Sequence, residues 1–207
     1  MSGKKNQNPA FPKVANFKGG NVQVDKKELQ ARIDALKEAV LFSQLTSEEI
    51  ASTMVKVGFD FDGTLSETDF FGRPSADYKA VREFLLELKE RGFDVRIITR
   101  RFAKDFEGAG SQLEKLEYQK VYEVADELGL EHDKVHFTNR AWKSDMIHEL
   151  GIHLLVDDDA EDCFRVRQRF SIYNAVCINK EANNDVTWRY GAEAMIRFYL
   201  KIYQDAS

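Results

Sequence analysis

Short apolar runs alternate with segments of helical spacing from residue 55 to the end of the sequence. The apolar runs predict five strands, over residues 55–61, 93–99, 135–138, 152–156 and 175–179. Segments with apolar residues every three or four positions predict helices over residues 76–91, 111–128, 142–150, 161–170 and 186–203. Because apolar strands that alternate with helices form a parallel sheet covered on both faces, this pattern predicts an α/β fold: a three-layer, Rossmann-like domain with a five-stranded parallel sheet.

Residues 1–54 precede this pattern, and we expect them to form a helical extension ahead of a main domain over residues 55–207. Residues 1–24 show no periodicity, which indicates a mobile or loosely docked tail. Two capping boxes, from Asp25 to Glu28 and from Thr46 to Glu49, each predict the start of a helix. The apolar face of the first helix consists of Leu29, Ile33, Leu36 and Val40. This face is expected to pack on the protein's own core or on a second copy, as in a homodimer.

The composition limits the classes of partner. The net charge of −5 offers no overall attraction to nucleic acid, although a local basic patch stays open. No apolar run reaches the roughly 20 residues that span a bilayer, so no membrane association is expected. Cys163 and Cys177 form no CxxC pair and are expected to be core residues. Together these features predict a protein of the cytoplasm.

Polar side chains lie at or just after the ends of four of the five predicted strands. They are Asp60 and Asp62 at the end of the first strand, Thr99 and Arg100 at the end of the second, Lys143 after the third, and Asp157, Asp158 and Asp159 after the fourth. In open parallel sheets, ligands bind at the carboxyl ends of the strands, at the point where the strand order reverses. We therefore expect these side chains to converge on one crevice. Paired carboxylates there can hold a hard cation, or act as nucleophile and proton donor.

Each of these features has an ordinary alternative. An Asp-x-Asp-Gly stretch such as residues 60–63 also begins calcium loops, but the further oxygen ligands and the final Glu of such a loop do not follow. A threonine after a strand is often a turn former, and an acidic triplet is often a solvated loop. The joint placement of all these residues at strand ends favours a site.

With these motifs the sequence resembles the haloacid dehalogenase-like superfamily of phosphohydrolases. Residues 60–64 match its first motif, Asp-x-Asp-x-(Thr/Val), and Thr99 matches the Ser/Thr of the second. Lys143 can serve as the third motif, and Asp157 with Asp158 matches the acidic fourth. The resemblance covers about residues 55–180, so the amino-terminal extension lies outside it.

The resemblance implies a role for each motif. Asp60 is the expected nucleophile, which forms an aspartyl-phosphate. Asp62 is expected to protonate the leaving alkoxide and then to deprotonate water. Thr99 would donate a hydrogen bond to a phosphoryl oxygen. Lys143 would neutralise charge on Asp60 and on the phosphoryl group, with Arg140 as a less favoured substitute.

The resemblance also implies Mg²⁺ as the cofactor. Its expected ligands are a carboxylate oxygen of Asp60, the backbone carbonyl of Asp62 and the carboxylate of Asp158. Asp157 is expected to contact these ligands rather than the metal. No role follows for Asp159.

The gaps between the motifs leave no room for an inserted cap domain, so a capless member is expected. Its flap, residues 66–77, contains Phe70, Phe71 and Arg73. Phe71 could stack on a base while Arg73 pairs with a phosphate, or the two phenylalanines could pack the flap down. Arg100 belongs to a basic cluster that could contact phosphate, or that could be a solvated edge.

This combination resembles deoxyribonucleotide 5′-phosphatases and polynucleotide 3′-phosphatase domains. The acidic net charge favours a small phosphorylated substrate, with nucleotides among the candidates, over a long polymer. A 3′-phosphatase acting on nucleic-acid ends stays open. So does a partner-dependent or non-catalytic binding protein. Dehalogenase activity is disfavoured because dehalogenases lack an acid at the position of Asp62.

Overall fold

The computed structural model describes residues 46–75, 78–170, 174–178 and 187–205. The predicted tail and first helix, with Leu29 and Val40, lie outside these residues. The second predicted helix is present as α1, Ser47–Ser52. Its capping box is confirmed, since the Thr46 backbone N–H donates to Oε2 of Glu49 at 2.7 Å and the Glu49 N–H donates to Oγ1 of Thr46 at 3.2 Å.

The remaining elements alternate as predicted. The strands are β1 Lys56–Phe59, β2 Asp94–Thr99, β3 Val135–Phe137, β4 Leu154–Asp157 and β5 Ala175–Cys177. The further helices are α2 Tyr78–Glu90, α3 Glu117–Glu127, α4 Lys143–Glu149, α5 Ala160–Arg169 and α6 Thr187–Asp205. Between β1 and β2, the described residues form the flap and α2.

The five strands form one parallel sheet in the order β3-β2-β1-β4-β5, which confirms the predicted fold class. The chain runs outward from β1 through β2 to β3, and then returns to place β4 on the other side of β1. The strand order therefore reverses between β1 and β4, where Phe59 pairs with Val156. This point is where a ligand crevice is expected.

The sheet is covered on both faces because successive strand residues point to opposite sides. In β2, Ile97 belongs to the larger core and Ile98 to the smaller one. The larger core is covered by α1, α2, α3 and α6, with Ile50 of α1 almost completely buried. The smaller core is covered by α4 and α5 and includes the buried thiol of Cys163. Among the described residues, no helix is both long and apolar enough to cross a membrane.

One predicted helix is shorter than expected. The helix predicted over residues 111–128 is instead a 3-10 turn, Glu114–Leu116, followed by α3. Oε2 of Glu114 accepts hydrogen bonds from the backbone N–H groups of Gly110 and Ser111, at 2.9 and 2.8 Å. These bonds close a local turn ahead of the helix, as acidic side chains commonly do. Leu113 is consequently exposed rather than buried on a helix face.

Candidate active site

Asp60 lies directly after β1 at the point where the strand order reverses. Its backbone N–H donates to the carbonyl of Val156 at 2.9 Å, which ties the end of β1 to β4. Lys143 is the first residue of α4 and reaches the same point from the far side of the crevice. Its Nζ lies 2.6 Å from Oδ1 of Asp60 and 2.7 Å from Oδ2 of Asp157. All three side chains are buried, so this is an internal ion cluster.

Asp162 is a member of this cluster that the sequence reasoning missed. It lies in α5 and is fully buried. Its Oδ1 accepts a hydrogen bond from the backbone N–H of Lys143 at 3.2 Å, and its Oδ2 lies 3.4 Å from Nζ of Lys143. Asp162 thus holds both ends of the lysine. The available signal was that Asp162 precedes the apolar Val166 by one helical turn and so interrupts the buried face of α5.

Burial and neighbouring charges shift the titration of this cluster. Burial raises the pKa of Asp60 well above its usual range, because Lys143 only partly offsets it and the neighbouring carboxylates add to it. Burial likewise raises the pKa of Asp157 to about 7, against the lowering effect of Lys143. Burial alone would lower the pKa of Lys143, but Asp157, Asp60 and Asp162 raise it well above its usual value. Lys143 alone therefore does not compensate the negative charge of the clustered carboxylates.

Carboxylate oxygens of Asp60, Asp157 and Asp158 lie within 4.8 Å of one another and are all buried. Such a set suits a hard divalent cation that prefers oxygen ligands. Both oxygens of Asp157 already accept hydrogen bonds, one from Lys143 and one from the backbone N–H of Asp159. Asp158 accepts a hydrogen bond from the hydroxyl of Thr64 at 3.2 Å.

Gly63 allows the backbone after Asp62 to pass close to Asp158. Its φ is +77°, a conformation that side chains disfavour. A Cβ atom at this position would lie 2.5 Å from Oδ2 of Asp158. Two features therefore favour glycine at this position of the first motif: the positive φ and the close approach to Asp158.

The carboxylate of Asp62 is held by Arg101, which belongs with Arg100 to the basic cluster predicted after the second strand. Nη2 of Arg101 lies 2.7 Å from Oδ1 of Asp62, and Nε lies 3.0 Å from Oδ2. The guanidinium also covers the ring of Phe61 and donates to the backbone carbonyl of Glu117. Both partners are largely buried, so Arg101 fixes the direction in which Asp62 points.

Thr99 is the last residue of β2 and is fully buried. Its hydroxyl oxygen accepts a hydrogen bond from the backbone N–H of Arg101 at 3.2 Å. It is not among the residues that line the neighbouring cavity, and neither is Asp157. Both residues lie behind the surface that a ligand would contact first.

The crevice contains a cavity of about 600 Å³. It is lined by Asp60, Asp62, Asp69, Phe70, Phe71, Arg73, Arg100, Glu114, Arg140, Lys143, Asp158, Asp159, Ala160 and Asp162. Seven of the predicted site residues line it: Asp60, Asp62, Phe71, Arg73, Arg100, Lys143 and Asp158. The tertiary structure therefore brings the predicted catalytic and substrate-binding groups to one cavity, apart from Thr99.

Asp69 organises the flap. Its Oδ1 accepts hydrogen bonds from the backbone N–H groups of Phe71 and Arg73, both at 2.9 Å. Its Oδ2 lies 2.7 Å from Nε of Arg73. Burial would raise the pKa of Asp69, but the hydrogen bonds and the charge of Arg73 hold it below its usual value. Arg73 is thus paired within the flap.

Arg100 and Asp159 form a more open edge of the cavity. Nη1 of Arg100 lies 3.9 Å from Oδ2 of Asp159, a loose ion pair. The guanidinium of Arg100 lies over the ring of Trp142, whose ring also carries Arg165. Asp159 caps α5, because its Oδ1 accepts a hydrogen bond from the backbone N–H of Glu161 at 2.8 Å. Asp159 thus has a local structural role that the sequence reasoning did not assign.

No family model matches the chain, and no curated protein matches it. Among solved structures it is similar to one described as a candidate 3-deoxy-D-manno-octulosonate 8-phosphate phosphatase from Vibrio cholerae. The identity is 17%, the similarity covers 77% of this chain and 88% of that chain, and the TM-score is 0.36. The fold and site by themselves define the class: a parallel α/β protein with a buried lysine–carboxylate centre at its strand ends.

Proposed function

We propose that this chain is a Mg²⁺-dependent phosphomonoester hydrolase of the haloacid dehalogenase-like superfamily. In this proposal Asp60 carries the phosphoryl group as an aspartyl-phosphate. The observation that supports it best is the buried centre in which Lys143 bridges Asp60 and Asp157 beside Asp158. A dianionic phosphate can approach such a carboxylate only where positive charge is fixed next to it.

The reaction needs two displacements at phosphorus. A carboxylate oxygen of Asp60 attacks the phosphorus, the bond to the alcohol oxygen breaks, and that oxygen takes a proton from Asp62. Water then attacks the phosphorus and gives a proton to Asp62, while the bond to Asp60 breaks. The products are the alcohol and inorganic phosphate, and both aspartates return to their starting states.

Three residues support these steps. Lys143 holds the Asp60 carboxylate and stabilises charge on the transferring group. Arg101 holds Asp62 by both carboxylate oxygens and so sets its direction. Thr99 is proposed to donate its hydroxyl hydrogen to a phosphoryl oxygen once the substrate is bound.

The donor set next to Asp60 fits Mg²⁺, which prefers carboxylate and carbonyl oxygens. Asp60, Asp158 and the backbone carbonyl of Asp62 are the proposed ligands, with Asp157 contacting them from behind. When bound, the ion would supply charge neutralisation for the phosphoryl oxygens and for the clustered carboxylates.

The size and lining of the cavity support a proposal for the substrate class. Its volume of about 600 Å³ suits a small phosphorylated molecule, and nucleotides are among the candidates. The alternative of a 3′-phosphatase on nucleic-acid ends draws on Arg73, Arg100 and Arg140 at the same cavity, since these cations could contact further phosphates.

The test is phosphate release from a panel of phosphomonoesters with Mg²⁺ and with a chelator. The panel contains p-nitrophenyl phosphate, nucleoside monophosphates, sugar phosphates and a 3′-phosphorylated oligonucleotide. We expect Mg²⁺-dependent turnover that Asp60→Asn abolishes and that the exposed control Asp133→Asn retains. Acid-quenched wild-type protein should carry one phosphoryl group on Asp60 by peptide mass spectrometry. If the folded, metal-bound protein released phosphate from no substrate, the non-catalytic binding role would replace this proposal.

A further inference from the structure

A row of aromatic and arginine side chains begins at the cavity, which three of its four members line. We call Phe71, Phe70, Arg140 and Phe102 the aromatic row. The ring centroids of Phe71 and Phe70 lie 5.6 Å apart, with one ring edge facing the other ring. The guanidinium carbon of Arg140 lies 4.4 Å from the centre of Phe70 and 4.7 Å from that of Phe102. These separations are those of favourable aromatic and cation–π contacts.

The aromatic row joins three loops that follow three different strands. Phe70 and Phe71 belong to the flap after β1, Phe102 follows β2, and Arg140 follows β3. Arg140 is fixed in several ways, since its backbone N–H donates to the carbonyl of Arg100 at 2.8 Å and its guanidinium pairs with Glu117. The row is therefore anchored to the body of the protein through Arg140.

Backbone strain marks the same position. Asn139 and Arg140 have φ values of +52° and +68°, and neither is glycine. Two successive residues in this conformation lower the stability of the fold, and strained residues of this kind cluster at functional sites. Here the strained pair brings the guanidinium of Arg140 against the ring of Phe70. The strained backbone and the cation–π contact thus both fix the guanidinium of Arg140 beside Phe70.

Phe71 is the open end of the row. Its side chain is 78% exposed, although it lines the same cavity as Asp60. Phe70 is 49% exposed, whereas Phe102 is almost completely buried. Arg73 covers one side of Phe71 at 5.4 Å and is itself paired with Asp69. The flap therefore presents a large apolar ring to solvent at the cavity, where a bound ligand would bury it and gain hydrophobic free energy.

The charges around the cavity limit the number of phosphate groups that the ligand can carry. Seven acidic and four basic side chains line it. Two of the basic groups, Arg73 and Lys143, are held by carboxylates in close ion pairs, and a third, Arg140, is paired with Glu117. A ligand with several phosphates would meet net repulsion outside the centre at Asp60. A planar, uncharged group attached to a single phosphate avoids it.

We propose that Phe71, supported by Phe70 and Arg140, is a stacking platform for a planar ring in the leaving alcohol, and that the substrate is a nucleoside monophosphate. This inference rests on the proposed phosphatase function. Stacking of a base on an aromatic side chain changes affinity by about five- to 150-fold when the side chain is truncated. The platform thus selects the ring while Asp60 acts on the phosphate.

The test compares adenosine 5′-monophosphate with ribose 5-phosphate, which carries the same 5-phosphate and has a hydroxyl group in place of the base. We expect the wild-type kcat/KM to favour the nucleotide by at least about tenfold. Phe71→Ala should remove most of this preference through the KM of the nucleotide, and Phe71→Trp should keep it. The matched control is Phe164→Ala, because Phe164 is also exposed but lies in α5 away from the cavity lining. Phe164→Ala should keep the wild-type preference.

The outcomes separate the two proposals. Wild-type protein that hydrolyses both substrates equally well, or Phe71→Ala that keeps the full preference, overturns the platform and leaves the phosphatase intact. A preference for a 3′-phosphorylated oligonucleotide over the mononucleotide overturns the assignment of a single-phosphate substrate. Calorimetric binding of both ligands to Asp60→Asn gives the comparison without turnover. Equal affinities there would overturn the platform, even if the wild-type protein hydrolysed neither compound.

Discussion

Two glycines with almost the same positive φ allow the effect of the close contact with Asp158 on stability to be measured separately from the cost of that φ. Gly63 has φ +77° and Gly72 has φ +78°. A Cβ atom on Gly63 would lie 2.5 Å from Oδ2 of Asp158, whereas a Cβ atom on Gly72 would have nothing within 4 Å. Gly63→Ala and Gly72→Ala therefore both place an alanine at a positive φ, and they differ in the contact with Asp158.

The expected magnitudes follow from these two terms. An alanine in the left-handed region costs roughly 1–2 kcal/mol, and this cost applies to both variants. In Gly63→Ala the carboxylate of Asp158 must also move, which breaks its hydrogen bond from Thr64. Loss of a hydrogen bond to a charged group costs about 1.5–3 kcal/mol. We expect Gly63→Ala to be less stable than Gly72→Ala by this second amount.

The assay is equilibrium urea denaturation followed by circular dichroism, with Mg²⁺ affinity measured by calorimetry on the same proteins. Gly63→Ala should also bind Mg²⁺ at least about tenfold more weakly, because a proposed ligand is displaced. Gly72→Ala should keep the wild-type affinity. Equal free energies of unfolding for the two variants, or unchanged Mg²⁺ affinity in Gly63→Ala, would show that the contact with Asp158 has no consequence.

Three further predictions concern the buried cluster and its surroundings. Lys143→Met leaves buried carboxylates without their cation, so the free energy of unfolding should fall by about 3–5 kcal/mol. The control Lys120→Met, at an exposed position of α3, should lose less than about 1 kcal/mol, and similar losses in the two variants would contradict this. Arg101→Ala should lower kcat for alkyl phosphates far more than for p-nitrophenyl phosphate, because the proposed role of Asp62 is to protonate poor leaving groups, and a uniform decrease would argue against a positioning role. The pKa of Asp157 is raised to about 7 in the folded protein, so the folded state binds its proton more tightly than the unfolded state does. The resulting contribution to the free energy of unfolding is fully present below about pH 4 and is lost as the pH rises through 7. Thermal unfolding without metal should accordingly show a smaller loss of stability between pH 5 and pH 8 in Asp157→Asn than in the wild type, and equal losses would refute the assignment.

Properties that depend on neighbours along the chain could be predicted from the sequence. The alternation of apolar runs and helical spacing predicted all five strands, because the side-chain period of each element is local. The capping box at Thr46 was predicted for the same reason. The helix over residues 111–128 was predicted too long because Glu114 bonds to the backbone ahead of it, and periodicity carries no information on such a turn.

Contacts between distant residues were decided by the tertiary structure. Lys143 and Asp60 are 83 positions apart, and they meet because the strand order reverses between β1 and β4. Strand ends could be recognised as candidate sites in advance, since the carboxyl ends of parallel strands share one edge. The partners that come from helix faces and loops could not: Asp162 reaches Lys143 from α5, and Arg101 reaches Asp62 across 39 positions. Their positions depend on packing angles and loop paths, which local sequence patterns do not encode.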